Sequence, residues 1–316
     1  MINITDTLGL KIDAPDELIL RKIHFQRVKK DFPDIVKDYL CDRYLITNDV
    51  RFFNELLWLV KGDISKIKQS VDHFNSNFVD FKHVFCFSNN LKYCLNINNT
   101  ELAINKHNFK NKEIALIGNP IHFILPFLKF KKNNIPVDII NVKFHPNKII
   151  RLLFFNIFFS YIFKLIFGKS YYEINIYKKS ELKTFKIRKK YHLGFHKLNF
   201  IIKDNILSHF SLGLINDHWG ALPLFKGRST LHYSRLFGAN QVITNHLINN
   251  EIDSGKVIMY TRINSSQTKK IIYLKLKDRI YDSINLLSQS RFVDVDNKLG
   301  YMFYEMHPWL IKKIKK

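Results

Sequence analysis

Cysteine is scarce in this sequence. The 316 residues include three cysteines, Cys41, Cys86 and Cys94, and no two of them have the C-x-x-C spacing of a zinc or redox site. An odd number of separated cysteines argues against a disulfide framework and is typical of reduced, buried thiols. The first residues are neither basic nor apolar enough for a signal peptide. We therefore expect a cytoplasmic protein without a metal site.

The chain also lacks an uninterrupted apolar stretch of about 18 residues, the length that suggests a membrane-spanning helix. The most apolar stretch, 149–168, is interrupted by Arg151, Asn156, Ser160 and Lys164. Three interpretations stay open. The pattern favours a buried helix that flanks a sheet, and the next is a helix at a membrane surface between basic flanks. The third is a membrane-spanning helix, against which the arginine and the lysine argue.

Acidic residues are few compared with basic ones. The 50 lysines and arginines outnumber the 27 aspartates and glutamates, which gives a formal net charge of +23. Such a charge favours anionic partners: nucleic acid, an anionic membrane surface, or small phosphorylated or polycarboxylate molecules. The lysines are spread along the chain, as on an ordinary solvated surface. Hydrophobic residues make up 46% of the sequence, enough for a core in one or two domains.

The middle of the chain has the pattern of an α/β protein. EIALIG is a continuous apolar run, Gly118-Asn119-Pro120 is a turn, IHFILPFLKFKKN has helical character, and IPVDIINV is a second apolar run. Strand, helix and strand in this order predict a βαβ unit and therefore a doubly wound, parallel sheet. No G-x-G-x-x-G is present, so the dinucleotide-binding fingerprint is absent.

Further elements follow along the chain. YYEINIY, LNFIIK, LGLIN and VIMYTRI read as strands, KKSELKTFKIRKKYH as a basic connector, and KKIIYLKLKDRIYDSINLLSQ as a helix. The tail, 291–316, is expected to form a hairpin that turns at Asp296-Asn297.

Residues 1–105 read as a separate, small α+β module of unknown role. Helices are expected to begin near Asp16, Asp31, Asp49 and Ser65, and the runs HVFCFS and LKYCLNI suggest a small β-meander. The basic segment 106–112 then serves as a linker.

The stretch 214–257 places three polar side chains of catalytic type at the ends of apolar runs. Asn216 and His218 are two positions apart, so an extended strand projects both to one side, and Asp253 stands in the turn IDSG. The amide can donate to an oxyanion, the imidazole can take a proton from an amine, and the carboxylate can orient the imidazole. The carboxyl end of a strand is also where open α/β sheets bind ligands. Taken alone, the three residues fit a structural histidine as well as a catalytic one.

A loop between these residues carries two cations. Leu222-Pro223 and Gly227 predict a rigid loop whose backbone groups can hold a flat heterocycle. Lys226 and Arg228 are placed to bind a carboxylate or phosphate.

The order and spacing of these residues resemble the formyltransferases that use 10-formyltetrahydrofolate, which include methionyl-tRNA formyltransferase and the sugar N-formyltransferases. The matching positions are Asn216, His218, Leu222-Pro223, Phe225-Lys226-Gly227, Gly238, Thr244, His246 and Ile252-Asp253-Ser254-Gly255. The resemblance covers about 112–290 and is specific around 214–257. LNFIIKDNIL resembles the strand that precedes Asn-x-His in the family.

The resemblance implies a Rossmann-like, mostly parallel sheet that carries a catalytic triad. His218 would act as base toward an acceptor amine, Asn216 would stabilise the oxyanion, and Asp253 would hold His218. The folate-contacting positions would be Ile206, Leu207, Gly220, Ala221, Leu222 and Pro223. The co-substrate would be 10-formyltetrahydrofolate, with no metal.

Three residues depart from the family pattern, and one residue that matches it is given no catalytic role. Trp219 stands where the family commonly has proline, and Gly220-Ala221 replaces its usual Ser-Leu, which changes the folate loop but leaves the triad intact. We interpret His246 as structural or pocket-lining.

The resemblance also bears on the acceptor. Members that act on tRNA carry a separate C-terminal β-barrel, and the 61 residues after Gly255 leave no room for one, which argues against nucleic acid. We expect a primary amine on a small phosphorylated or nucleotide-linked molecule, above all an amino sugar. The alternatives are a formyltetrahydrofolate hydrolase and a degenerate, non-enzymatic member associated with a membrane or RNA. Oligomer formation stays open.

Overall fold

The computed structural model describes residues 4–77, 112–144, 154–178, 180–181, 185–198, 200–239, 241–263, 269–296 and 300–314. The chain divides into two compact units. The first comprises Met1–Asn96, Leu224–Asn240 and Tyr301–Lys316, and the second comprises Ile97–Pro223 and Gln241–Gly300. The predicted boundaries at 105, 112 and 290 stay predictions. Leu224–Asn240 and Tyr301–Lys316 belong to the same unit as the N-terminal helices.

Nine strands lie in the described residues. They are β1 (Ile114–Gly118), β2 (Val137–Phe144), β3 (Tyr171–Ile176), β4 (Tyr191–Lys197), β5 (Phe210–His218), β6 (Phe225–Gly227), β7 (Val242–Leu247), β8 (Val257–Arg262) and β9 (Tyr301–Phe303). Seven of them form the sheet of the second unit, in the order β3-β2-β1-β4-β5-β7-β8. The pairs from β3 to β5 are parallel, whereas β5-β7 and β7-β8 are antiparallel. The predicted doubly wound, mostly parallel sheet is thus confirmed.

Eleven α-helices lie in the same described residues. They are α1 (Ile4–Leu8), α2 (Asp16–Gln26), α3 (Asp34–Thr47), α4 (Val50–Leu59), α5 (Lys68–Asn77), α6 (Ile124–Lys132), α7 (Phe154–Phe167), α8 (Asp204–Leu207), α9 (Thr230–Leu236), α10 (Lys269–Ser288) and α11 (Pro308–Ile314).

Successive side chains along the strands of the second unit point to opposite faces of the sheet, and an apolar layer covers each face. Ile215 points into a layer that contains Phe130 of α6, Phe163 of α7 and Ile284 of α10. Its neighbour Leu214 points into the other layer, which contains Ile206 of α8. Because side chains alternate along a strand, Asn216 and His218 lie on the same side of the sheet as Leu214.

Helix α7 packs one side of itself against the sheet, as the favoured interpretation of 149–168 expected. Phe163 and Phe167 are buried, and the Phe167 ring meets the Phe127 ring edge to face at 4.8 Å. Tyr161 and Leu165, on the opposite side of α7, are 62% and 67% exposed. None of the helices in the described ranges is long and apolar enough to cross a membrane.

Two strand predictions are wrong. LNFIIK is irregular in its described residues, and the strand is formed by the preceding residues, Tyr191–Lys197, the first two of which end the segment that reads as a connector. Leu193 and Phe195 of this strand are buried, and the apolar residues after it lie in a loop, in which Ile202 is buried. The tail hairpin is also absent from the described residues, because Tyr301–Phe303 pairs in parallel with Phe225–Gly227.

The first unit is largely helical in its described part. Helix α4 is buried along most of its length, and its N-terminal Asp49 accepts a hydrogen bond from the Arg51 backbone N–H at 2.9 Å. The predicted helix starts near Asp16 and Asp49 are confirmed. Cys41, expected to be buried, is half-buried with its Sγ 3.0 Å from Ser70 Oγ. The predicted β-meander lies outside the described residues.

Candidate functional site

Strand β5 and its antiparallel neighbour β7 bring the polar residues of the 214–257 stretch together. The register places Asn216 opposite His246 and His218 opposite Thr244. Residues directly opposite on paired strands project to the same face of a sheet. Asn216, His218 and His246 therefore share one face at the carboxyl end of β5, the end at which α/β sheets bind ligands.

His218 and Asp253 form the tightest polar pair of this group. His218 Nδ1 lies 3.2 Å from Asp253 Oδ2, and the exposed fractions of the two side chains are 6% and 12%. A neutral imidazole that donates from Nδ1 to a carboxylate carries its lone pair on Nε2, so that Nε2 can accept a proton. The pair thus has the arrangement of a general base and the carboxylate that orients it.

Asn216 is linked to this pair through His246. Asn216 Nδ2 lies 3.4 Å from His246 Nε2, and His246 Nδ1 donates to the Leu247 carbonyl at 2.8 Å. Burial lowers the pKa of His246 to about 4, although Asp253 opposes the shift, so the ring is neutral and its Nε2 can accept from the amide. The Asn216 amide has two N–H groups, and the second can donate to an oxyanion.

His246 therefore lines the site and positions its neighbours. Its Nε2 is also 3.6 Å from Asp253 Oδ1, and its ring meets the His218 ring nearly at right angles, with centroids 6.3 Å apart. The interpretation of His246 as structural or pocket-lining agrees with these contacts.

The turn that carries Asp253 depends on a glycine. Asp253 has φ of +52°, in the left-handed region that aspartate tolerates better than most residues. Two residues later, a Cβ on Gly255 would lie 1.8 Å from the Leu247 carbonyl oxygen. Only glycine allows this close approach, which accompanies the hydrogen bond from Leu247 N to Lys256 O at 2.9 Å. The IDSG sequence thus fixes the position of the carboxylate.

The loop after His218 is held by strands β7 and β8. Thr244 Oγ1 donates to the Gly220 carbonyl at 2.6 Å and accepts from Leu222 N at 3.2 Å. The Tyr260 hydroxyl donates to the Leu222 carbonyl at 2.5 Å, and the Leu222–Pro223 peptide is cis. Ala221 is buried together with its neighbours. The altered Gly220-Ala221 loop is therefore firmly fixed in place.

The other predicted site residues fall into two groups. Ile206 is buried and Leu207 packs beside it, in the apolar layer on the side of the sheet that carries Asn216. Lys226 and Arg228 belong to the first unit, where Lys226 is buried and Arg228 is exposed. The roles of all four in ligand binding stay predictions.

Strand β4 contributes residues that the sequence reading missed. The register places His196 opposite Asn216, so His196, Asn216 and His246 form a row across three adjacent strands. Lys197 Nζ lies 2.9 Å from Asp217 Oδ2, and both side chains are nearly buried. Burial raises the pKa of Asp217 while Lys197 opposes the shift. The alternation of Leu193 and Phe195 was the available signal for this strand.

The burial of His196 leads us to expect that the protein loses stability in acid. Burial, with the nearby His246 and Lys197, lowers its pKa from 6.5 to about 3. As pH falls below about 6.5, this histidine is protonated in the unfolded chain but stays neutral in the folded one. The contribution of His196 to the free energy of unfolding, which is fully present above pH 6.5, is therefore lost as pH falls toward about 3. We expect His196 to lower the free energy of unfolding by about 2 kcal/mol between about pH 7 and about pH 5.

Urea unfolding at the two pH values measures this effect, with His196→Gln as the comparison. The variant lacks the titrating group, so its loss of stability over the same interval should be smaller by about 2 kcal/mol. An equal loss in both proteins would show that His196 does not contribute.

The described residues contain no group of three histidine, cysteine or carboxylate side chains that could hold a metal ion. What they do bring together is a base with its orienting carboxylate, and an amide donor beside them. Such a set can remove a proton from a nucleophile and stabilise the oxyanion that forms when the nucleophile adds to a carbonyl.

Comparison with known proteins finds no match by sequence but several matches by structure. No family model matches the chain, and no curated protein matches its sequence. Among solved structures, it is similar to a sugar N-formyltransferase from a Shewanella species, with 16% identity over 60% of this chain and 76% of that protein and a TM-score of 0.41.

Two further solved structures to which the chain is similar are a formyltransferase with bound ligands and a methionyl-tRNA formyltransferase. A formyltransferase from Anoxybacillus kamchatkensis, solved with UDP-4,6-dideoxy-4-formamido-L-AltNAc and tetrahydrofolate, shares 15% identity over 60% of this chain and 84% of its own, with a TM-score of 0.35. A methionyl-tRNA formyltransferase from Clostridium thermocellum shares 15% identity over 61% of this chain and 73% of its own, with a TM-score of 0.36. All three of these solved structures are formyltransferases by name.

Proposed function

We propose that this protein transfers a formyl group from 10-formyltetrahydrofolate to a primary amine of a small, nucleotide-linked acceptor, an amino sugar above all. The observation that carries the proposal is the meeting of Asn216, His218 and Asp253 at the carboxyl end of β5. These are the positions at which the sequence matches the family pattern. Their chemistry is that of acyl transfer to an amine.

In the proposed reaction the amine nitrogen attacks the formyl carbon, and a nitrogen–carbon bond forms while the carbonyl electrons move onto oxygen. Asn216 Nδ2 donates a hydrogen bond to that oxyanion. His218 Nε2 takes the proton of the attacking amine and returns it to N10 of the folate as the carbon–N10 bond breaks. The products are a formamide and tetrahydrofolate.

Asp253 and His246 complete this arrangement without touching the reacting atoms. Asp253 holds the proton on His218 Nδ1 and stabilises the imidazolium that forms, at a separation of 3.2 Å. His246 holds one side of the Asn216 amide, 3.4 Å away. Both effects lower the freedom of the catalytic groups before the substrates bind.

The charge of the chain supports an anionic acceptor. A net charge of +23 attracts nucleotide diphosphates as well as the polyglutamate tail of a folate. An amino sugar linked to a nucleotide combines such a charge with the primary amine that the reaction needs.

The experiment is a comparison of acceptors with 10-formyltetrahydrofolate as the donor. Release of tetrahydrofolate is followed with a nucleotide-linked amino sugar, with the same amino sugar lacking the nucleotide, with methionyl-tRNA, and with no amine. We expect turnover with the nucleotide-linked amino sugar and little without an amine. Equal release with and without an amine would indicate a hydrolase, and no release in any reaction would contradict the proposed activity.

A further inference from the structure

His196 has a buried nitrogen for which the described residues offer no hydrogen-bond partner. Its side chain is 4% exposed, and Nε2 is the orphaned atom. Leaving such a group unpaired is energetically unfavourable, so buried polar atoms without a partner call for an explanation. A ligand that supplies the missing partner is one such explanation.

The other nitrogen of the ring identifies what kind of partner is missing. His196 Nδ1 accepts a hydrogen bond from the Leu198 backbone N–H at 3.2 Å. A neutral imidazole with an accepting Nδ1 carries its proton on Nε2. Burial keeps the ring neutral, because it lowers the pKa to about 3. The missing partner is therefore a hydrogen-bond acceptor, such as a carbonyl oxygen.

The sheet places His196 on the face that carries the candidate site. His196 is opposite Asn216 in the β4-β5 register, so the two side chains project to the same side. His246, on the far side of Asn216, is also close enough to contribute to the lowered pKa of His196. A substrate oxygen bound against Asn216 would thus lie beside a second neutral N–H donor.

We propose that His196 Nε2–H donates a hydrogen bond to a carbonyl oxygen of the bound formyl donor. This inference rests on the proposed function. Two oxygens of the donor have the required chemistry: the formyl oxygen, which becomes the oxyanion, and the carbonyl oxygen of the pteridine ring. His196 is a specificity-determining residue toward either of them.

Two substitutions at this position separate the roles of the two nitrogens. His196→Asn places an amide oxygen near the position of Nδ1, which keeps an acceptor for Leu198 N but removes the distal N–H. His196→Gln places an amide N–H near the position of Nε2 and gives up the acceptor. We expect His196→Asn to lower kcat/KM for 10-formyltetrahydrofolate by about tenfold to a hundredfold, and His196→Gln to retain most of it.

The readouts also distinguish the two oxygens. A lower kcat with unchanged affinity for tetrahydrofolate, which lacks the formyl group, would identify the formyl oxygen. A weaker affinity for tetrahydrofolate, measured by calorimetry, would identify the ring carbonyl. The inference is wrong if wild-type protein turns over the donor and His196→Asn has the same kcat/KM. It is also wrong if His196→Gln loses more kcat/KM than His196→Asn, because His196 would then have a structural role. A wild-type protein without any turnover would instead contradict the proposed function.

A second inference comes from the outward side of helices α6 and α7. Leu125 and Leu128 of α6 are 46% and 49% exposed, and Tyr161 and Leu165 of α7 are 62% and 67% exposed. The helices pack together through Phe127 and Phe167, and a groove of about 330 Å³ between them is lined by Leu165, Lys131 and Lys169 among others. We call this surface the α6–α7 face.

Basic residues predominate in the sequence around this face. From Asn119 to Ser170 there are eight lysines and arginines and a single carboxylate, Asp138. Two of these lysines contact carboxylates from outside the range, Lys129 with Asp282 and Lys143 with Glu173. Asp138 lies on β2, where it contacts Lys189 at 3.1 Å. Exposed apolar residues bordered by lysines are the composition of a helix that lies in the interface of an anionic membrane, since lysine stems pack on apolar surface while their heads reach the phosphates.

We infer that the α6–α7 face docks on an anionic lipid surface. Tyr161 and Leu165 would enter the boundary between head groups and acyl chains, with Lys131, Lys132, Lys164 and Lys169 against the phosphates. The charge of this region favours lipid over a second copy of the chain, whose own α6–α7 face would be equally positive.

Vesicle sedimentation with the full chain tests this inference. We expect binding to vesicles of phosphatidylcholine with phosphatidylserine, little binding to phosphatidylcholine alone, and a loss of about tenfold or more in the Tyr161→Glu/Leu165→Glu double variant. Ile46→Glu is the control, because Ile46 is an equally exposed apolar residue, 75% exposed, on α3. An absence of wild-type binding, an equal loss in the control, or a dimer that the double variant dissolves would each contradict the inference.

Discussion

We expect His218→Asn to lower kcat for the proposed formyl transfer by about a thousandfold, because the attacking amine would then have no base to take its proton. Asparagine fills part of the space of the imidazole and can still meet Asp253, so the fold should persist. Removal of the proton by water leaves only slow turnover. The measurement is tetrahydrofolate release at saturating donor and acceptor, accompanied by the melting temperature of each variant.

A second histidine of the same strand region provides the control for this prediction. His209 directly precedes β5, at the end of the strand opposite to Asn216 and His218, where its Nδ1 lies 3.2 Å from the Lys189 carbonyl. His209→Asn should therefore leave kcat within about twofold of wild type, since the strand separates it from the site by roughly 25 Å. If His218→Asn and His209→Asn have the same activity, His218 is not the base.

Asp253→Asn has the second largest expected effect, a fall in kcat of about a hundredfold or more. Asparagine tolerates the left-handed conformation of this position, where φ is +52°, so the turn should keep its shape. The amide, however, cannot stabilise an imidazolium, and its N–H groups can reverse which nitrogen of His218 carries the proton. The pH profile of kcat should change with the rate, which a loss of folded protein would not produce.

Asp282→Asn serves as the matched control for the carboxylate. Asp282 lies on α10, against the opposite face of the sheet, and contacts Lys129 at 3.8 Å with 28% of its side chain exposed. An exposed ion pair of this kind contributes little to stability, roughly 0–1 kcal/mol. A fall in kcat of the same size in Asp282→Asn would assign the effect to general charge and not to the contact with His218.

The parts of the fold that are set by local pattern were predictable from the sequence. The apolar runs that became β1 and β2, with the helix between them, form one compact βαβ unit, and its pattern is continuous along the chain. The spacing of Asn216 and His218 likewise determines that both side chains share a face once β5 is extended. Asp253 follows because the motif IDSG specifies a tight turn with a glycine at the close contact.

The parts that depend on distant partners were not predictable in the same way. Strand β9 pairs with β6 although more than 70 residues separate Phe225–Gly227 from Tyr301–Phe303. A strand of three residues is too short for its sequence to indicate which strand it pairs with. LNFIIK is more apolar than the true strand before it, so periodicity alone selected the wrong run. The same error hid His196, whose position in the row with Asn216 and His246 appears only with the register of three strands.

We propose that Asn216, His218 and Asp253 together form a centre for formyl transfer to an amine. The most direct measurement uses 10-formyltetrahydrofolate labelled with carbon-13 in the formyl group, a nucleotide-linked amino sugar, and carbon NMR of the products. We expect a new formamide carbon on the acceptor with wild-type protein and almost none with His218→Asn. A label that appears as free formate at the same rate with and without the acceptor, or a formamide that His218→Asn forms as fast as wild type, would contradict it.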